Sequence, residues 1–116
     1  MELIALLSSG KESWQQVTGL LNQGDWENII LIGSDEAKQF THSKEFQLIQ
    51  VNLSQRLKDL KEELGKKLKG KIAGTEVALS IASGDGKEHM ALISALLSVP
   101  VGVRFTALTK DGVVFL

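Results

Sequence analysis

The chain has 116 residues, a length that favours one compact domain over residues 1–116 and buries a core without staples. Hydrophobic residues make up 43% of it and 13 basic residues nearly balance 14 acidic ones. Disorder is therefore not expected, and a strongly basic nucleic-acid groove is not signalled, though a local patch is left open. The absence of cysteine excludes disulfides, thiolate metal sites and a cysteine nucleophile.

Residues 2–7 read as a buried strand, short and continuously apolar. A helix over about Lys11–Asn22 follows, with Trp14, Val17, Leu20 and Leu21 at helical spacing and Gly24 as its stop signal. Asn28–Ile32 is a second strand, followed by the loop Gly33-Ser34-Asp35-Glu36 and a short helix over Glu36–Phe40. Phe46–Val51 is a third strand. A long helix from about Ser54 to Lys69 carries Leu53, Leu57, Leu60, Leu64 and Leu68 as one apolar stripe. Glu62 with Lys66, and Glu63 with Lys67, form favourable pairs on its polar side, which reads as a solvated outer face.

Gly70–Gly74 is a turn, Val77–Ile81 a fourth strand and Met90–Val99 a helix that is apolar nearly all round. Such a helix should be buried on more than one face, inside the monomer or against a second subunit. Pro100 ends it. Val101–Leu108 is a fifth strand, Thr109-Lys110-Asp111-Gly112 a hairpin turn and Val113–Leu116 an antiparallel edge strand. This alternation predicts an α/β fold: a Rossmann-like three-layer sandwich with a mostly parallel sheet. Right-handed crossovers make the strand order about 3-2-1-4-5, with an antiparallel C-terminal edge strand.

That order makes the first and fourth strands neighbours, so the loops at their C-terminal ends share one crevice, where such folds bind ligands. The loops are Ser8-Ser9-Gly10-Lys11-Glu12-Ser13 and Ser83-Gly84-Asp85-Gly86-Lys87-Glu88-His89-Met90. Both can aim backbone N–H groups and a lysine at an anion. Gly84 and Gly86 permit positive φ and close approach, and Lys87 supplies a point charge suited to phosphate. Asp85 is repulsive to a phosphate unless it points away, and Gly-Asp-Gly also makes an ordinary turn. The first loop lacks both the dinucleotide fingerprint and the P-loop spacing, and its serines also suit the simpler part of helix caps. The candidate ligand-facing set is Ser8, Ser9, Gly10 and Lys11 with Ser83, Gly84, Asp85, Gly86, Lys87 and Met90.

His89, beside Lys87, is a candidate for contact with a phosphate or ribose, or for proton transfer. Lys87 and His89 are thus the catalytic candidates. His42 lies in a polar loop and is expected to be exposed; two distant histidines without cysteine give no metal site. Trp14 and Trp26 read as core or interface anchors rather than base-stacking platforms. Leu3–Leu7 is too short for a signal-peptide core and lacks a preceding basic region. Nothing approaches the ~20 apolar residues of a membrane span. A soluble, cytoplasmic protein is expected.

The segment Val77-Ala78-Leu79-Ser80-Ile81-Ala82-Ser83-Gly84-Asp85-Gly86-Lys87-Glu88-His89-Met90-Ala91-Leu92 resembles CRISPR-associated Rossmann-fold (CARF) domains. Their pattern is an apolar strand, Thr/Ser-Gly-Gly-Thr-Lys-x-Met and an apolar helix. Ser83, Gly84, Lys87 and Met90 fall on it; Asp85 stands where the second glycine is common and Gly86 where threonine is common. The first loop matches in place more than in residues. The resemblance implies a homodimer that binds a cyclic oligoadenylate across its two-fold axis in antiviral defence. Ser8, Ser9, Gly10, Gly84, Gly86 and Lys87 would then face phosphate and ribose. A cyclic, repeating anion suits two symmetric crevices. No cofactor and no direct DNA binding are implied.

With no room for a fused effector domain, the resemblance leaves a stand-alone sensor or sink, or a metal-independent ring nuclease. A ring nuclease would set a ribose 2′-hydroxyl against the adjacent phosphate, with Lys87 stabilising the developing charge. A second resemblance is that of Ser8-Ser9-Gly10-Lys11-Glu12-Ser13 to the Ser-Gly-Gly-x-Asp-Ser loop of ATP pyrophosphatases (PP-loop family), with Ser9 for the second-position glycine and Glu12 for aspartate. It implies an ATP-using enzyme. A structural or regulatory dimer without a small-molecule ligand is the third alternative.

Overall fold

A computed structural model describes all residues, 1–116. Strand β1 (Glu2–Leu7) leads through a 3-10 turn (Lys11–Ser13) into helix α1 (Trp14–Gln23). Strand β2 (Asn28–Gly33), a second 3-10 turn (Asp35–Gln39) and strand β3 (Gln47–Gln50) follow. Helix α2 (Leu57–Leu68), strand β4 (Glu76–Ser80), helix α3 (Gly86–Ser98), strand β5 (Gly102–Thr109) and strand β6 (Gly112–Phe115) complete the chain. The sheet order is β3-β2-β1-β4-β5-β6, parallel except for the antiparallel β5–β6 pair. The expected Rossmann-like α/β architecture is thus observed.

The strands at the centre are buried on both faces, which is why they read as unbroken apolar runs rather than as alternating ones. Along β1, Leu3, Ala5 and Leu7 face α1, where they join Trp14, Val17, Leu20 and Leu21. Ile4 and Leu6 face the other way, onto Leu60, Leu64 and Leu68 of α2 and Ala91, Leu92, Ala95 and Leu96 of α3. Each of these leucines contributes about 1.5–3 kcal/mol by leaving water. Glu2, buried at the start of β1, accepts hydrogen bonds from Asn28 Nδ2 and from the backbone N–H groups of Ala73 and Gly74. Burial opposes its charge, but these bonds and the N-terminal amine outweigh burial and hold its carboxyl below the ordinary range.

Several boundaries differ from the expected ones, for local reasons. The first helix does not begin regularly at Lys11: Gly10 takes a left-handed φ of 89° and the next three residues form a 3-10 turn. α2 starts at Leu57 rather than near Ser54, because the Asn52 side chain accepts from Ser54 N and keeps the chain in a turn. Leu53 is consequently a buried loop residue, and Leu57 lies at the edge of the stripe, 39% exposed. α3 begins at Gly86, four residues before Met90. Within the chain α3 is buried on one face, against the sheet and α2; Met90 and Leu97 are exposed. Of the two expected pairs on α2, Glu63–Lys67 forms at 3.2 Å. Glu62–Lys66 is not among the chain's ion pairs. No helix is long and apolar enough to cross a membrane.

Candidate functional site

The reversal of winding lies between β1 and β4, and the loops that leave their carboxyl ends meet there. Ser8 N donates to Ser83 Oγ (2.9 Å), and Ser13 Oγ reaches Ser83 Oγ (2.8 Å), so residues 70 or more apart in sequence form one hydrogen-bonded unit. Ser13 Oγ also contacts Gly10 O at 2.8 Å, which braces the left-handed turn. Trp14 Nε1 donates to Ser8 O at 2.8 Å, so Trp14 acts as a core anchor that also fixes the first loop.

Glu88 organises the centre of this unit. It is 8% exposed. Its Oε1 accepts from Ser8 Oγ (2.7 Å) and from Asp85 N (3.1 Å). Asp85 Oδ1 in return accepts from Glu88 N at 2.8 Å, which closes a reciprocal cap on α3. The Asp85 carboxylate is therefore turned back onto its own helix, where the positive end of the helix dipole favours it. Glu88 was not among the expected site residues. The signal was present as Asp85-Gly86-Lys87-Glu88 ahead of an apolar run, the spacing of a capping box.

Gly84 holds φ at 106°, a conformation that L side chains rarely adopt. A Cβ there would also stand 2.4 Å from Leu6 Cδ2 and 2.9 Å from Glu88 Oε1. The backbone N–H groups of Ser9, Gly84, Gly86 and Lys87 take no acceptor within the protein. Ser9, Gly84, Asp85 and Gly86 are exposed. These donors are the groups by which the loops can hold an anion.

The lysines sit differently from the simplest expectation. Lys87 Nζ donates to Leu53 O (2.9 Å) and Gln55 O (2.8 Å), tying α3 to the loop before α2. Lys11 Nζ bonds Gln39 Oε1 of the second 3-10 turn. His89 Nε2 lies 2.9 Å from Ser83 O, so both catalytic candidates are engaged by backbone carbonyls. Met90 is 57% exposed, on the outer side of α3. Ser80 Oγ, buried at the end of β4, has no hydrogen-bond partner. His42 is half-buried rather than exposed, held by Asn22 Oδ1 and the N–H of Lys44, away from His89. No group of three or more His, Asp or Glu side chains is arranged to hold a metal ion.

The strand order, the reversal between β1 and β4 and the helices on both faces define a Rossmann-like α/β domain with paired loops at its switch point. No protein-family model matches the chain, and no curated protein matches its sequence.

Proposed function

We propose that this chain is a nucleotide-sensing domain that binds a cyclic oligoadenylate as a homodimer, the reading implied by its resemblance to CARF domains. The observation that carries it is the joining of the two loops at the β1/β4 switch point, with unpaired N–H groups on exposed Ser9, Gly84 and Gly86 and on half-buried Lys87. Such an array of backbone donors suits phosphate oxygens and needs no metal ligand. The exposed Met90 and Leu97, seven residues apart on α3 with half-buried Ile93 between them, offer an apolar stripe for a second copy. Pairing through that stripe is self-complementary, as a two-fold interface requires.

Binding is favoured over cleavage. Lys87 and His89 already serve backbone carbonyls, so neither is free to stabilise a developing charge or to move a proton without breaking its present contacts. Calorimetry with cyclic tetra-adenylate and cyclic hexa-adenylate, with the nucleotide followed by mass spectrometry, tests the reading. One ring per two chains, recovered intact, is expected. A linear product would make the protein a ring nuclease. Binding of neither ring would overturn the proposal, and a rise in melting temperature with ATP and magnesium instead would favour the ATP-enzyme alternative.

A further inference from the structure

The basic residues are unevenly placed. Seven of the 13 lie between Arg56 and Lys71, with only three of the 14 acidic ones, Asp59, Glu62 and Glu63. This segment is α2 with its flanking turns. The near-zero charge of the whole chain therefore conceals a local excess of positive charge along α2.

Three of these lysines converge. Lys61, Lys66 and Lys69 line a groove of about 330 Å³ between α2 and the C-terminal half of α3, with Glu62 as its one carboxylate. Gly65 leaves the α2 wall open, since a Cβ there would meet nothing within 4 Å. The chain's ion pairs use Lys67, Lys38 and the N-terminal amine, but none of the three groove lysines. Lys67, on the same helix, is satisfied by Glu63 and by Gln50 O. None of the three groove lysines is held in an ion pair, and with Glu62 as the one carboxylate the groove keeps an excess of positive charge, part of which offsets the C-terminal end of the α2 dipole. The groove also lies at the opposite end of the helices from the paired loops, because α2 and α3 run back from the carboxyl edge of the parallel sheet.

We infer that this groove binds the phosphate backbone of a nucleic-acid strand without reading its bases. Lysine is a compact point charge suited to phosphate oxygens. From Lys61 to Lys69 the helix rises about 12 Å, so the charges follow an extended anion rather than enclose a single one. No aromatic side chain lines the groove, so base stacking is not available. Its apolar lining is Ala95 and Val99, too small to supply the buried anchor on which protein partners depend.

The test is fluorescence anisotropy of a labelled single-stranded oligonucleotide of mixed sequence, read across a salt series. Binding is expected at low salt, with log affinity falling against log salt at a slope of about −2, as three lysines on a single strand require. Lys61→Gln/Lys66→Gln/Lys69→Gln should weaken binding about ten-fold or more at low salt. Lys38→Gln/Lys44→Gln/Lys110→Gln, which removes the same charge elsewhere, should leave it near wild type. Glu62→Gln should tighten it, a gain that loss of folding cannot mimic. No binding at low salt, equal loss in both triple variants, or equally tight binding of labelled polyglutamate would each overturn the assignment. Cyclic oligoadenylate binding should be unaffected by the groove variants, which separates this site from the paired loops.

Discussion

Helices α2 and α3 pack side by side on one face of the sheet, yet their outer surfaces are opposites. Both bury a stripe in the same core: Leu60, Leu64 and Leu68 from α2, and Ala91, Leu92, Ala95 and Leu96 from α3. Outward, α2 presents lysines and glutamates, whereas α3 presents Met90 and Leu97. The inner faces are equivalent because one sheet dictates both. The outer faces are free of that constraint and differ in what they could meet: an apolar stripe suits a second protein surface, and an excess of lysines suits an anion.

The largest effect should come from setting the two faces of α3 against each other. Leu92→Asp places a carboxylate at a fully buried position and should cost more than about 4 kcal/mol, leaving little folded protein by circular dichroism. Leu97→Asp, at a position 59% exposed, should fold normally and shift the protein towards monomer in sedimentation. A folded Leu92→Asp protein would break the assignment of the inner face; an unchanged oligomeric state in Leu97→Asp would break that of the outer one.

Next in size is Gly84→Ala, which meets both a left-handed φ and the Leu6 side chain at the entry to α3. A loss of about 1–3 kcal/mol in urea unfolding is expected, and stability equal to wild type would show that the turn relaxes freely. Lys87→Met tests the link between the two helices. It strands the carbonyls of Leu53 and Gln55, and should cost about 1–2 kcal/mol and raise hydrogen exchange in residues 53–56 ahead of α2. Unaltered exchange there would show that the lysine does not hold the loop.

The smallest effect belongs to the polar face of α2. Glu63 is held below the ordinary carboxyl range, first by the hydrogen bond from Gln55 and then by Lys67, with burial opposing. A group whose pKa is depressed on folding stabilises above its unfolded pKa, and that stability is lost as pH falls through the folded pKa. The advantage of wild type over Glu63→Gln should thus be about 0.2–1 kcal/mol at neutral pH, and should shrink on acidification. A difference independent of pH would place the contribution outside the ionised carboxylate.

The order of elements was legible in the sequence because apolar runs and helical spacing report which side of each segment is buried. The adjacency of β1 and β4 followed from the handedness of crossovers, and with it the meeting of the two loops. Helix starts were less legible where the first turn is polar. Gly86-Lys87-Glu88-His89 has no apolar period, so α3 reads from Met90, although its capping box marks the true start.

Local spacing placed the strands and most of the buried stripes, since a residue's place on a strand or helix depends on its near neighbours, and the handedness of crossovers added the strand order. Local spacing gave the Glu63–Lys67 pair and the Asp85/Glu88 cap, but tertiary structure alone decided the long-range polar contacts. Ser8 and Glu88 are 80 residues apart, Lys87 reaches carbonyls more than 30 residues away, and Glu62 leaves Lys66 unpaired despite ideal spacing. A hydrogen bond or ion pair forms between whichever groups the packed elements bring within about 3 Å, and that proximity is set by the whole fold.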